Sequence, residues 1–176
     1  MGTTRKATTM TQQDRLGDFR YVRDGVAIRH DRRVDAAPAR VWEALTDPVV
    51  LGRWLGQVTV ADRDVTVRLG GDAPAASGRV TYCDPQQMLE VDLHWPEEPP
   101  ARLVSEIAEL GPDRAVVVLE YRGLPDAVAA ERAAEWHRRM DALAAVLVGG
   151  EPAAGGAGPE LVAAYEVALA ELRSSG

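Results

Sequence analysis

The sequence predicts an α+β protein in which a curved antiparallel sheet wraps around one long helix near the C-terminal end, with two short helices after the first strand. Three observations carry this. From Pro125 to Gly149, Ala129, Ala133, Trp136, Met140, Leu143 and Leu147 recur at spacings of three and four, which is one face of a long helix. From Val58 to Leu124 the period changes to two, in runs separated by short turns. Consecutive strands joined this way pair antiparallel, and their alternation implies one buried and one wet face.

Residues 1–22 read as a flexible leader, rich in Thr and Gln and without periodicity. The leader lacks the apolar stretch of a secretory signal, and Lys6 stands where a myristoylation motif wants Ser or Thr. Asp24-Gly25 opens a strand over Val26–Val34, with Val26, Ile28 and Val34 on one parity. Asp35 and Pro38 signal a short helix carrying Val41, Trp42 and Leu45. A second begins at Asp47-Pro48, where Asp47 can cap and Pro48 takes the first position, and ends at Trp54.

Val58–Ala61 and Val65–Leu69 form a hairpin turning at Asp62-Arg63-Asp64, and Gly70–Pro74 is a loop. Arg79–Cys83, Leu89–Trp95, Arg102–Leu110 and Ala115–Leu124 are further strands, punctuated by Asp84-Pro85, by Pro96–Pro100 and by Gly111-Pro112-Asp113. The long helix starts in the turn of Pro125 and stops at Gly149-Gly150, with Glu135 and Arg139 four apart in the favourable order. Burying its four large apolar residues is worth about 1.5–3 kcal/mol each, so this helix belongs to the core of a domain spanning residues 23–150. Residues 151–176 supply a Gly/Ala/Pro linker and an extension helix, Pro159–Arg173, with Leu161, Tyr165, Leu169 and Leu172 at helical spacing.

Composition narrows the function classes. The 176 residues carry a net charge of −7, so no global field favours nucleic acid. The run Arg29-His30-Asp31-Arg32-Arg33 reads as a solvated strand face. A lone cysteine, Cys83, excludes an intrachain disulfide, suits a reducing cytoplasm and reads as small apolar filler. No uncharged run approaches the ~20 residues that span a bilayer. A soluble, cytoplasmic protein is expected.

Several phrases resemble one family: AAPARVWEALTDPVVLGRWL (36–55), GRVTYCDPQQMLEVDLHW (78–95), LEYRGLP (119–125) and EWHRRMDALAAVLVGG (135–150). Together they look like a bacterial homologue of the activator of heat-shock-protein-90 ATPase, within the START-like, SRPBCC superfamily. The resemblance runs from about Gly25 to Gly149, and Trp42 and Trp54, with Asp47-Pro48 between them, are its most specific mark. It implies the helix-grip fold, whose members usually enclose an elongated apolar cavity between sheet and long helix. Many such relatives bind lipids, hormones or polyketides, a few are cyclases or hydrolases, and the eukaryotic activator works by touching its chaperone. Where many relatives carry a histidine ahead of the glycine closing the last strand, this chain has Tyr121, two residues before Gly123.

Parity names the side chains that face the long helix: Leu89, Val91, Leu93 and Trp95; Leu103, Ser105 and Ile107; Val117, Leu119 and Tyr121. With Trp54, Trp136 and Met140 they are the candidate ligand-pocket residues, mostly apolar with two hydroxyls to orient a ligand. A filled core fits the same parity, with Ser105 bonding backbone and the Tyr121 hydroxyl at the edge. No histidines assemble: His30 and His94 sit in strands, and His137 is turned off the apolar stripe. Without HxxxH, CxxC or HExxH no metal and no cofactor are expected. Neither a GxSxG elbow nor an activated cysteine is present, so no catalytic residues are assigned. Glu90 and Asp92 share a wet face and read as solvation.

An outward strip, Val104, Ala108, Val116 and Val118, is expected to lie beneath the extension helix or a second subunit. The leading functional expectation is non-catalytic binding of a small hydrophobic or amphipathic molecule. The alternative is a co-chaperone-like interaction module whose partner is a chaperone, and third comes a cyclase or hydrolase using Tyr121 or Ser105 as proton donor. Neither nucleic acid nor membrane is expected as a partner.

Overall fold

The structure, a computed structural model, describes residues 16–70 and 72–175. These form strands β1 (Asp18–Val22) and β2 (Gly25–Val34), helices α1 (Pro38–Thr46) and α2 (Pro48–Trp54), and strands β3 (Gln57–Ala61), β4 (Asp64–Arg68), β5 (Ala76–Asp84), β6 (Met88–His94), β7 (Ala101–Gly111) and β8 (Arg114–Leu124). Helices α3 (Ala129–Leu147) and α4 (Pro159–Ser175) follow. The eight strands make one sheet in the order β1-β2-β8-β7-β6-β5-β4-β3. Every pairing is antiparallel. The sheet curves around α3, which is the helix-grip arrangement.

Local chemistry sets the elements. Asp47 caps α2, its Oδ1 accepting from the backbone N–H of Val49 at 2.8 Å and of Val50 at 3.1 Å. Asp47→Ala is expected to cost about 1 kcal/mol, measured by urea denaturation, whereas an unchanged midpoint would show that the cap contributes nothing. Asp35, read as a helix signal, does not cap α1: Ala37 holds that position with no side-chain hydrogen bond, and Pro38 supplies the preset φ. Pro125 likewise sits one turn ahead of α3, in a turn closed by Val128 N–H to Pro125 C=O at 3.1 Å. Between α2 and β3, Gly56 has φ +142°, and a Cβ there would lie 2.3 Å from the Arg68 carbonyl oxygen, so only glycine fits.

The stripe on α3 is buried as the periodicity predicts, with Met140 and Leu143 fully enclosed and Trp136 3 % exposed. A second side of the helix is buried too, including Ala130, Ala134, His137 and Val146. The reason is α4, which packs on α3 and β1 and buries Leu161, Tyr165 and Leu169.

Three expectations are corrected here. Residues 18–22, assigned to the flexible leader, are the edge strand β1, paired with β2 from Asp18↔Arg29 to Val22↔Gly25; residues 1–15 of that leader lie outside the described residues. The extension helix does not cover the outward strip. Val104 and Val118 are buried without it, while Ala108 is exposed. Val104 pairs across the strands with Glu90 and Glu120, which are tied into a charged lattice by Arg102, Arg122 and Arg20. The long side chains of such a lattice cover apolar surface with their methylenes. Finally, the Arg29–Arg33 run is not one solvated face. His30 is fully buried and the Arg32 side chain only 11 % exposed, because both point inward at α3.

Candidate functional site

Between the β3–β7 part of the sheet, the two short helices and the start of α3 lies a cavity of about 430 Å³. Register builds its walls. Val58↔Val67 and Val60↔Val65 put four valines of the β3–β4 hairpin on one face. Across β5, β6 and β7, Val80, Val91 and Leu103 form one row, and Cys83, Leu89 and Ser105 form the next. Leu45, Leu51, Trp54 and Leu55 close the cavity from the short helices, and Trp136 from α3.

Of the candidate ligand-pocket residues, Trp54, Leu89, Val91, Leu93, Trp95, Leu103, Ser105, Leu119 and Trp136 line this space. Ile107, Val117, Tyr121 and Met140 do not border it. Val117 and Met140 are fully enclosed in the packed core, whereas Ile107 borders a shallow outer groove with Ala108 and Val116. Tyr121 stands behind the wall: its hydroxyl accepts from Trp95 Nε1 at 2.9 Å, and its ring packs on Trp136 at 5.5 Å between centroids. Burial raises the Tyr121 phenol above its ordinary pKa, against the pull of the Trp95 N–H. Trp54 is also fixed, its indole N–H donating to the Ala44 carbonyl at 2.8 Å.

Parity at Leu89–Trp95 did not reach the hairpin valines. Their own alternation, Val58/Val60 against Gln57/Thr59 and Val65/Val67 against Asp64/Thr66, marks the same face. The mouth opens at the far end of that hairpin, where Val60, Asp62 and Arg63 of the lining are exposed. Cys83 is there as well, exposed rather than packed as filler, one residue before the end of β5.

A second feature overturns the reading that the histidines assemble into nothing. His30, His137 and Tyr165 meet in the interior, with ring centroids about 6 Å apart. The Tyr165 hydroxyl accepts from the Gly17 backbone N–H at 2.9 Å and lies 2.9 Å from His137 Nδ1 and 3.4 Å from His30 Nδ1. On the far side of His137, Nε2 is 3.5 Å from Asp141 Oδ2, and Asp141 Oδ1 is 3.3 Å from Arg32 Nε. A carboxylate beside Nε2 favours the proton there and leaves Nδ1 to accept from Tyr165.

Burial pushes Tyr165 up to about 12 and His30 down to about 3, the latter helped by the Arg32 and His137 charges. Burial alone would raise Asp141, but the hydrogen bond and charge of His137, with Arg32, hold it below its ordinary value. None of the three rings borders the cavity, so the cluster joins β2, α3, α4 and the approach to β1 and is closed to a substrate. Among the described residues, no three His, Cys, Asp or Glu side chains gather as metal ligands, and no helix is long and apolar enough to cross a membrane.

No curated protein matches the chain in sequence. Among solved structures, the solution structure of CalU16 from Micromonospora echinospora has a TM-score of 0.70 at 23% identity, over 92% of this chain and 95% of that one. The conserved protein EF2215 from Enterococcus faecalis has a TM-score of 0.70 at 17% identity, over 89% and 91%. The Aha1 dimer from Colwellia psychrerythraea gives 0.60 at 14% identity, over 69% and 95%. At these identities the likeness is one of fold. Residues 35–148 match the family described as Activator of Hsp90 ATPase homolog 1-like protein, which takes in α1 through the end of α3. The chain belongs to that family.

Proposed function

We propose that this protein binds a small hydrophobic or amphipathic molecule in the cavity between sheet and long helix, without transforming it. The supporting observation is the cavity itself. Its 430 Å³ falls within the ~300–1,000 Å³ of small-molecule sites. Packed interiors rarely keep voids much larger than a water molecule. Most of the lining is apolar, and among the described residues no nucleophile–base pair converges on the space. A reducing, cytoplasmic setting suits the exposed thiol of Cys83.

Three of the four tryptophans, Trp54, Trp95 and Trp136, border the cavity, so intrinsic fluorescence reads its occupancy. Saturable changes are expected on titration with apolar probes of straight-chain, aromatic and polycyclic shape. Val91→Trp, which fills the middle of the space, is expected to keep thermal stability and weaken binding at least ~10-fold. Flat titrations across the panel, or a Val91→Trp variant that binds as wild type, would overturn the reading.

Family membership supports a second reading, a protein-interaction module of co-chaperone type. It predicts that the purified protein retains a heat-shock-protein-90-type chaperone, and that Val91→Trp leaves this capture unchanged. If the chaperone flows through, this second reading is lost.

A further inference from the structure

The cavity is chemically lopsided, and this says which kind of molecule it takes and which way round. Six residues separate Leu89 from Trp95, so the lined length along β6 is about 20 Å at about 3.3 Å per residue. At the Trp95 end the walls are aromatic and aliphatic, with Trp95 and Trp136 both set against Tyr121. The Leu89 end holds the polar groups. Ser105 pairs with Leu89 across the strands and is 5 % exposed, and its hydroxyl has no hydrogen-bond partner among the described residues. That hydroxyl belongs to a residue lining the cavity, so it is left to bond a ligand or water there. Thr46 is already committed, donating to the Trp42 carbonyl at 2.7 Å. The ionic groups of the lining, Asp62 and Arg63, have opposite sign and stand exposed at the mouth.

Resting on the binding reading above, we infer that the ligand is an elongated, uncharged amphiphile with one terminal hydroxyl or carbonyl. That oxygen meets Ser105 at the mouth end, and the apolar tail runs toward Trp95 and Trp136. A charged head finds no net counter-charge at the mouth, since Asp62 and Arg63 offset one another, and an unpaired charge against apolar walls is strongly disfavoured. Specificity therefore sits in one neutral hydrogen bond, while cavity length selects the chain.

The test uses the full chain at pH 7 with four probes: 1-decanol, decanoate, decylammonium and butylbenzene, the last having no hydrogen-bonding end. Decanol is expected to bind at least ~10-fold more tightly than either ion. Ser105→Ala should weaken decanol about 5-fold, the size of one neutral hydrogen bond, and leave butylbenzene unchanged. For orientation, 10-bromodecan-1-ol should quench tryptophan emission more strongly than 2-bromodecan-1-ol. Equal or tighter binding of an ion, an identical Ser105→Ala affinity for decanol, or the reverse quenching order overturns the orientation and leaves the cavity reading standing. If butylbenzene and decanol both fail to bind, both readings fall together.

Discussion

Tyr165→Ala is expected to destabilise the fold by about 3–5 kcal/mol, the range for deleting a buried aromatic ring, and to do so from a helix outside the family's matched residues. Tyr165 is fully enclosed, with an edge-on contact to Phe19 at 5.8 Å. Its hydroxyl also holds the Gly17 N–H and faces both buried histidines. Tyr165→Phe isolates that polar part. The ring stays, but the Gly17 N–H and His137 Nδ1 lose their partner, at about 1–3 kcal/mol for a buried group left unsatisfied. Denaturant titration of both variants separates the contributions. If Tyr165→Ala fell within 1 kcal/mol of wild type, α4 would be an appendage and the cluster no part of the stability. A Phe variant equal to wild type would leave packing as the whole of the effect.

That prediction was out of reach of the sequence, and the reason is physical. Periodicity reports which side of an element is apolar, so it named the α3 stripe, the meander and the inward row of β6. It also found Leu161, Tyr165 and Leu169 as a stripe, but a stripe does not say what covers it, and the outer face of β7 and β8 looked like the open surface. The pairing that matters runs over 135 residues, from His30 to Tyr165. Both histidines stand where pattern reading takes them for surface: His30 inside a basic run, His137 beside an Arg pair. Buried polar groups are legible only when their partners are known. The cavity shows the same limit differently. Seven of the ten residues named from parity reach its wall, yet no pattern separates a lined void from interlocked side chains, and Tyr121 shares the parity of the lining while standing behind it.

Acid should loosen this protein well before its carboxylates titrate, and His30 is the reason. Its folded pKa is about 3 against 6.5 for the free side chain, since burial penalises the charged ring and Arg32 and His137 repel it, with only Asp141 in its favour. The unfolded chain therefore binds this proton more readily than the native one. Stability is complete above pH 6.5, falls as the pH drops below that value, and stops falling near pH 3, where the native state also takes the proton. The slope is on the order of 1 kcal/mol per pH unit, so two units of acidification cost a sizeable part of a typical ~5–15 kcal/mol stability. Glu120 and Asp141 are also held below their ordinary values in the fold, so they are shifted in the same sense as His30 and lose stability in the same direction, because each must take up a proton against its cationic partners. That loss begins lower, through the carboxylate range. Between pH 6.5 and 5 the histidine contribution stands nearly alone, and His30→Gln, neutral at every pH, should flatten the curve there whatever it does to absolute stability. Denaturant midpoints at pH 7.5, 6, 5 and 4 measure the effect. A wild-type midpoint that holds steady from 7.5 to 5, or a Gln variant with the wild-type slope, would show that the buried ring finds a proton partner the native packing does not provide.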